Sequence, residues 1–167
     1  MSHRTSLAAI KCLTVVIPLL ALAACAAGKT IVEQPSQKAS FTAAHVVEEQ
    51  SNVAVPSEVA TAFKTSLGKK LYDAGKFTPG DNGLVVKYHF VQYAAGSRAE
   101  RWLTGGIGNA GESSTMVKVN FQTPNGAQLG AIEVEGHIGS GFFGGSTDDA
   151  LDKATDQIVA YAVANFH

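Results

Sequence analysis

The chain has 167 residues, with 13 basic and 14 acidic side chains and a formal net charge of −1. That length suits a single domain with a sizeable core, and the charge balance gives no electrostatic case for nucleic-acid binding. The two cysteines, Cys12 and Cys25, both lie near the start, so the rest of the chain has no means of forming a disulfide or a Cys-type zinc centre.

Residues 1–24 read as an export signal. Arg4 and Lys11 supply the positive start, and Cys12 to Leu22 is almost wholly apolar, broken by Thr14 and Pro18. The small residues Ala23 and Ala24 lead to a cut point, and the apolar run is too short to be a membrane span with these flanks. Leu22-Ala23-Ala24-Cys25 also resembles the lipobox of bacterial lipoproteins. The resemblance implies that Cys25 is the first mature residue, carrying a diacylglyceryl group on sulfur and an acylated amino end. More than one chain is needed for stable anchoring, and such a Cys25 would fix the protein to the bilayer. The competing expectation is cleavage at an ordinary Ala-x-Ala site, with Cys25 a free thiol. Ala26 after the cysteine, rather than Asp, implies by the same resemblance sorting to the outer membrane, facing the periplasm. Loss of the leader removes Arg4 and Lys11 and takes the formal charge from −1 to −3.

Residues 25–38, small and polar with Pro35, read as a short tether, and residues 39–167 as one domain. Ser40 to Glu48 predicts a first strand. Val55 precedes Pro56 and so marks a boundary. Pro56 suits the first helical turn, with Glu58 favourable near that end. Val59, Phe63, Leu67 and Leu71 then recur every four residues as the apolar stripe of a helix. Gly75 suits its terminator, and Thr78 to Gly83 reads as a loop. Leu84, Val86, Tyr88 and Phe90 alternate with Val85, Lys87, His89 and Val91 as a strand with one apolar face. Val117, Val119 and Phe121 alternate with Lys118, Asn120 and Gln122 in the next.

Pro124-Asn125-Gly126 signals a hairpin. With Asn125-Gly126 central, Val119 faces Ile132, Val117 faces Val134, and Lys118 faces Glu133, which sorts apolar and charged pairs onto opposite faces. A Pro124-Asn125 turn with a bulge at Gly126 shifts the pairing by one residue, a shift that a further bulge at Gly130 would absorb. Ser146 or Thr147 caps a final helix whose buried stripe is Leu151, Ala154, Ile158, Tyr161, Ala162 and Phe166. The order β-α-β-β-β-α predicts an α+β two-layer sandwich. Its first two strands are parallel, the last three form an antiparallel meander, and two helices lie on one face of a mixed sheet.

Several stretches resemble the DUF4410 family of bacterial envelope lipoproteins. They are Gly96 to Trp102 through Gly105-Gly106-Ile107-Gly108, the Thr115-to-Gln122 strand with its Asn-Gly turn, Phe142-Phe143-Gly144-Gly145-Ser146, and Val55-Pro56-Ser57-Glu58-Val59-Ala60. The resemblance spans about residues 38–166. It implies a small α+β envelope domain, similar in architecture to the amino-terminal domain of TolB, and carries over no catalytic residue.

The chemical motifs mostly resolve into structural ones. Gly106-Ile107-Gly108-Asn109-Ala110-Gly111 matches G-x-G-x-x-G, but a strand rather than a helix follows it, which argues for backbone bends over a dinucleotide. His89 and His137, with Glu133 and Glu135, lie on polar strand faces without a close-spaced ligand pair, so no metal or other cofactor is expected. Asp148, Asp149 and Asp152 suit a helix start. Arg98, Glu100 and Arg101 read as a solvated turn, and Ser113-Ser114 and Ser146-Thr147 lack a nucleophile-elbow context. Trp102, Ile107, Phe142 and Phe143, beside the glycine loops, are the candidates for partner contact. The expectation is a non-enzymatic, lipid-anchored envelope module that binds a protein partner. The alternative is a periplasmic small-molecule-binding or hydrolytic domain with a pocket at His89, His137 and Glu135. A third is oligomerisation through an exposed sheet edge.

Overall fold

The computed structural model describes residues 29–73, 76–94, 113–138 and 147–167. The elements are β1 (Thr30–Gln34), β2 (Ala43–Glu48), α1 (Ser57–Asp73), β3 (Thr78–Pro79), β4 (Leu84–Ala94), β5 (Ser113–Gln122), β6 (Gln128–Ile138) and α2 (Thr147–Phe166). Together they form an α+β fold with one six-stranded mixed sheet, in the order β1-β6-β5-β4-β2-β3.

The expected skeleton is present. Strands β2 and β4 pair in parallel across the α1 crossover, and β4, β5 and β6 form the antiparallel meander. Two additions extend the sheet at its edges. Thr30–Gln34, expected to be tether, is a strand paired antiparallel with β6. Beyond it, the Gln37 amide donates to the Leu129 carbonyl at 2.7 Å and the Ser36 hydroxyl to the Asn165 side chain at 2.6 Å. The described part of the 25–38 stretch is therefore docked on the domain. Thr78–Pro79, expected to be loop, adds a two-residue parallel edge to β2.

The helices form because their apolar stripes have a sheet face to cover. Phe63, Leu67 and Leu71 of α1 are fully buried, as are Ala154, Ile158, Ala162 and Phe166 of α2. They meet Leu84, Val86, Tyr88 and Phe90 of β4, Val117, Val119 and Phe121 of β5, and Ile132 and Val134 of β6. Burying one such side chain contributes about 1.5–3 kcal/mol relative to exposure. Aromatic rings fasten the layers. Phe63 lies 5.0 Å from Tyr88 and 5.1 Å from Phe90, and Phe121 stacks on Tyr161 at 5.2 Å. The Pro56 carbonyl accepts from the Ala60 amide at 3.0 Å, so Pro56 stands immediately before α1 rather than within its first turn. At the start of α2 the contact with the sheet is close enough that a Cβ on Gly136 would overlap the Ala150 carbonyl.

The hairpin takes its turn from one of the two arrangements and its register from the other. The Gly126 amide donates to the Thr123 carbonyl, the Thr123 amide to the Ala127 carbonyl, both at 2.9 Å, and Gly126 has φ 88°. The turn is thus centred on Pro124-Asn125, with Gly126 as the bulge. Further along, Phe121 pairs with Gly130 while Gln122 pairs with Gln128, which leaves Leu129 as a second extra residue. Beyond it Val119 faces Ile132, Lys118 faces Glu133 and Val117 faces Val134.

Candidate functional site

Strand alternation places one set of side chains under α1 and α2 and the other set on the opposite face. Among the described residues no element covers that second face. Its middle is a charged band in which the cations of β4 and β5 are flanked by carboxylates on either side. On β4, Lys87 and His89 reach Glu49, at 3.7 and 3.8 Å. His89 is registered against Lys118 of β5, which in turn is registered against Glu133 of β6. Lys118 also spans to β1, where its Nζ lies 2.7 Å from Glu33. Amides tie the turn end, with Gln122 donating to Gln128 at 3.1 Å and Gln128 donating to the Gly130 carbonyl at 2.7 Å.

Beside that end His45, Val47, Lys87, Gln122 and Pro124 line a cleft of about 330 Å³, and the buried His45 Nδ1 has no hydrogen-bond partner. On the helical side Lys70, Val159, Ala160 and Val163 border an apolar groove of about 560 Å³. A third cleft, of about 610 Å³, lies between the end of β2 and α1.

The structure sets His89 and Glu135 apart rather than gathering them into one pocket, and the His137 side chain lies outside what it describes. Glu135 is registered against Met116 and His89 against Lys118, so a whole strand, β5, separates them by about 10 Å. None of the three clefts is lined by either residue. Backbone pairing places His137 opposite Ser114. Among the described residues no three metal-ligating side chains converge.

Asp148 and Asp149 occupy the first turn of α2. Asp152 has another role, because it and Asp156 each lie 2.6 Å from Lys70 of α1. Burial alone would lower the Lys70 pKa, but the two carboxylates prevail and hold it above the ordinary value. Burial first, and the Glu48 carboxylate second, push the Tyr88 phenol far above its usual range.

Cys25, Trp102, Ile107, Phe142 and Phe143 lie outside the described residues. The strands flanking segments 95–112 and 139–146 are described. Ala94 pairs with Ser114, and Ser113 with Ile138, so both segments join the sheet at the same end.

The feature that sequence reasoning passed over is the β1 edge. Ile31 and Val32 are the exposed large hydrophobics among the described residues, at 40% and 51%. The signal was the β-branched Thr30-Ile31-Val32, masked by the nearby Pro35 and by its distance from other strand signals.

These features define a two-layer α+β domain whose second sheet face is uncovered among the described residues. Residues 28–141 match the family described as "Domain of unknown function (DUF4410)", more than half of the chain, and the protein belongs to that family. The match takes in β1, in agreement with its pairing in the sheet. Comparison with curated proteins finds no match. Among solved structures, a single-substitution variant of the PelC dodecamer from Paraburkholderia phytofirmans is similar, with a TM-score of 0.56 and 15% identity over 81% of this chain and 98% of that one. A second PelC dodecamer from the same organism aligns with a TM-score of 0.50 and 12% identity, over 83% of this chain and 98% of that one. At these identities the likeness is one of fold.

Proposed function

We propose that the protein is a lipid-anchored module of the bacterial cell envelope that works by binding protein, without catalysing a reaction. The observation that carries the interaction reading is the sheet itself. Its helical face is sealed by core, while its other face presents, among the described residues, a band of Lys87 and Lys118 flanked by Glu49, Glu133 and Glu33 and bordered by an apolar edge strand. Such a surface suits a partner of complementary charge pattern. The Leu22-Ala23-Ala24-Cys25 sequence supports the anchor, and membership of DUF4410 together with the fold likeness to PelC supports the envelope setting. Those PelC structures are dodecamers, which supports a reading in which the partners include further copies of the chain.

Two measurements test the reading. Mass spectrometry of the protein purified from its native envelope should find acyl chains on Cys25, and an unmodified thiol in a fully soluble product would overturn the anchor. Crosslinking in intact cells should capture a discrete assembly, and a monomer with no crosslinked species would overturn the interaction role.

The His45 cleft favours a second reading, a periplasmic small-molecule-binding or hydrolytic domain, because its buried Nδ1 is unpartnered. Chemical-shift change at His45 on adding envelope metabolites, abolished in His45→Ala, would support it.

A further inference from the structure

β1 is the outermost strand, and its ladder with β6 determines which backbone groups remain open. The Glu135 amide donates to the Lys29 carbonyl at 2.8 Å, and the register continues with Thr30 opposite Val134, Ile31 opposite Glu133 and Val32 opposite Ile132. In an antiparallel ladder hydrogen-bonded and non-bonded pairs alternate. Lys29 and Ile31 therefore turn their backbone groups toward β6, while Thr30 and Val32 turn theirs outward. The side chains on this edge are Ile31 and Val32, the exposed large hydrophobics of the described structure. The opposite edge differs. β3 has two residues, one of which is Pro79, and a short proline-bearing edge resists further pairing.

Two occupants fit an apolar edge near a lipidated Cys25, a bilayer or another strand. Hydrocarbon would leave the outward N–H and C=O groups of Thr30 and Val32 unsatisfied, at several kcal/mol each, whereas a strand satisfies them. The segment is also compatible with its own copy. Antiparallel about Val32, Val32 meets Val32, Thr30 meets Gln34, and Ile31 meets Glu33, so no like charges stand opposite. Each Glu33 keeps its own Lys118. α2 packs over β5 and β6, and Val32 on the same side of β1 stays half exposed.

We propose that β1 is a self-docking edge, where two copies pair antiparallel about Val32 and join two six-stranded sheets into one. This rests on the interaction reading above and names its partner as a second copy of the chain.

The test compares the intact, detergent-solubilised protein with Val32→Pro by sedimentation equilibrium. Proline at this position removes an outward donor and leaves the β6 ladder bonds in place. Two donors are lost per pair, so self-association should weaken by at least ~30-fold, with thermal unfolding little changed. Val32→Lys, which keeps the backbone donor and adds like charge across the axis, should also dissociate the pair and covers the case in which the proline variant misfolds. A wild-type monomer at tens of micromolar, or an oligomer unaltered in both variants, would overturn the proposal. The second result would still leave the interaction reading standing on another surface. Loss of binding to phosphatidylcholine vesicles when Val32→Lys is placed on a Cys25→Ser background, with the mass unchanged, would assign the edge to lipid and overturn it as well.

Discussion

The two faces of this sheet are made by the same strands and held to different standards. On the helical side Tyr88, Phe90, Val117, Val119, Phe121, Ile132 and Val134 are wholly buried, and each is fixed by ring or aliphatic neighbours. On the other side Lys87, His89, Lys118 and Glu133 are positioned by strand register and by one another. The first face uses shape to hold the fold. The second uses charge that water can replace, which leaves its chemistry free to be spent on a partner.

Substitution should expose this asymmetry most strongly in the core. Phe63→Ala, which removes a ring packed on Tyr88 and Phe90, should cost about 3–5 kcal/mol in urea unfolding. Asn120→Ala on the uncovered face should change stability by less than about 0.5 kcal/mol. Equal losses would erase the distinction. Gly136→Ala should cost about 1–3 kcal/mol, because the new Cβ must displace the Ala150 carbonyl and with it the start of α2.

A smaller effect concerns alkaline pH. Burial holds the folded-state pKa of Tyr88 above the ordinary phenol value of 10.0, so the unfolded chain ionises first. The stability held by the neutral phenol is complete below about pH 10 and falls as pH rises toward the folded pKa. Melting temperature measured from pH 8 to 11 should drop on the alkaline side, and Tyr88→Phe should flatten that drop. The Lys70 bridge to Asp152 and Asp156 has carboxylates 60% and 64% exposed. Solvent screening limits Lys70→Met to about 1 kcal/mol or less, shrinking further in salt. Smallest of all, Lys118→Ala should leave unfolding within about 0.5 kcal/mol of wild type while changing the salt dependence of any partner's binding.

The sequence revealed most where burial imposes a period. The alternation from Leu84 to Phe90 and the four-residue spacing from Val59 to Leu71 each have one physical solution, and the structure adopts both. The pairing of Lys118 with Glu133 was legible because its alternative would have set Ile132 and Val134 on the face opposite to Val117 and Val119. β1 was less legible. Five residues at an edge, buried on neither side, carry little periodicity, and their strand state is imposed by β6 rather than by their own pattern. The Lys70 bridge was equally hidden, since its two acids lie on the other helix, more than eighty residues away. The proposed partner surface was only half legible. The alternation showed the polar face of the sheet, but its border at Ile31 and Val32 depends on a strand order that composition does not encode.

The β5–β6 hairpin contains two extra residues, Gly126 beside the turn and Leu129 beyond it, and their relation is one of phase. Each advances the strand by half of its two-residue period, so one alone inverts the alternation and the pair restores it. At fixed chain length, closing either bulge alone would set Ile132 and Val134, both wholly buried, on the outer face, so the two bulges stand or fall together. Deleting Leu129 instead removes a residue that the ladder does not pair, keeps Gln128 opposite Gln122 and Gly130 opposite Phe121, and should leave Ile132 and Val134 in the interior. A chain one residue shorter here can therefore keep the same sheet, provided that the residue lost is one held outside the pairing.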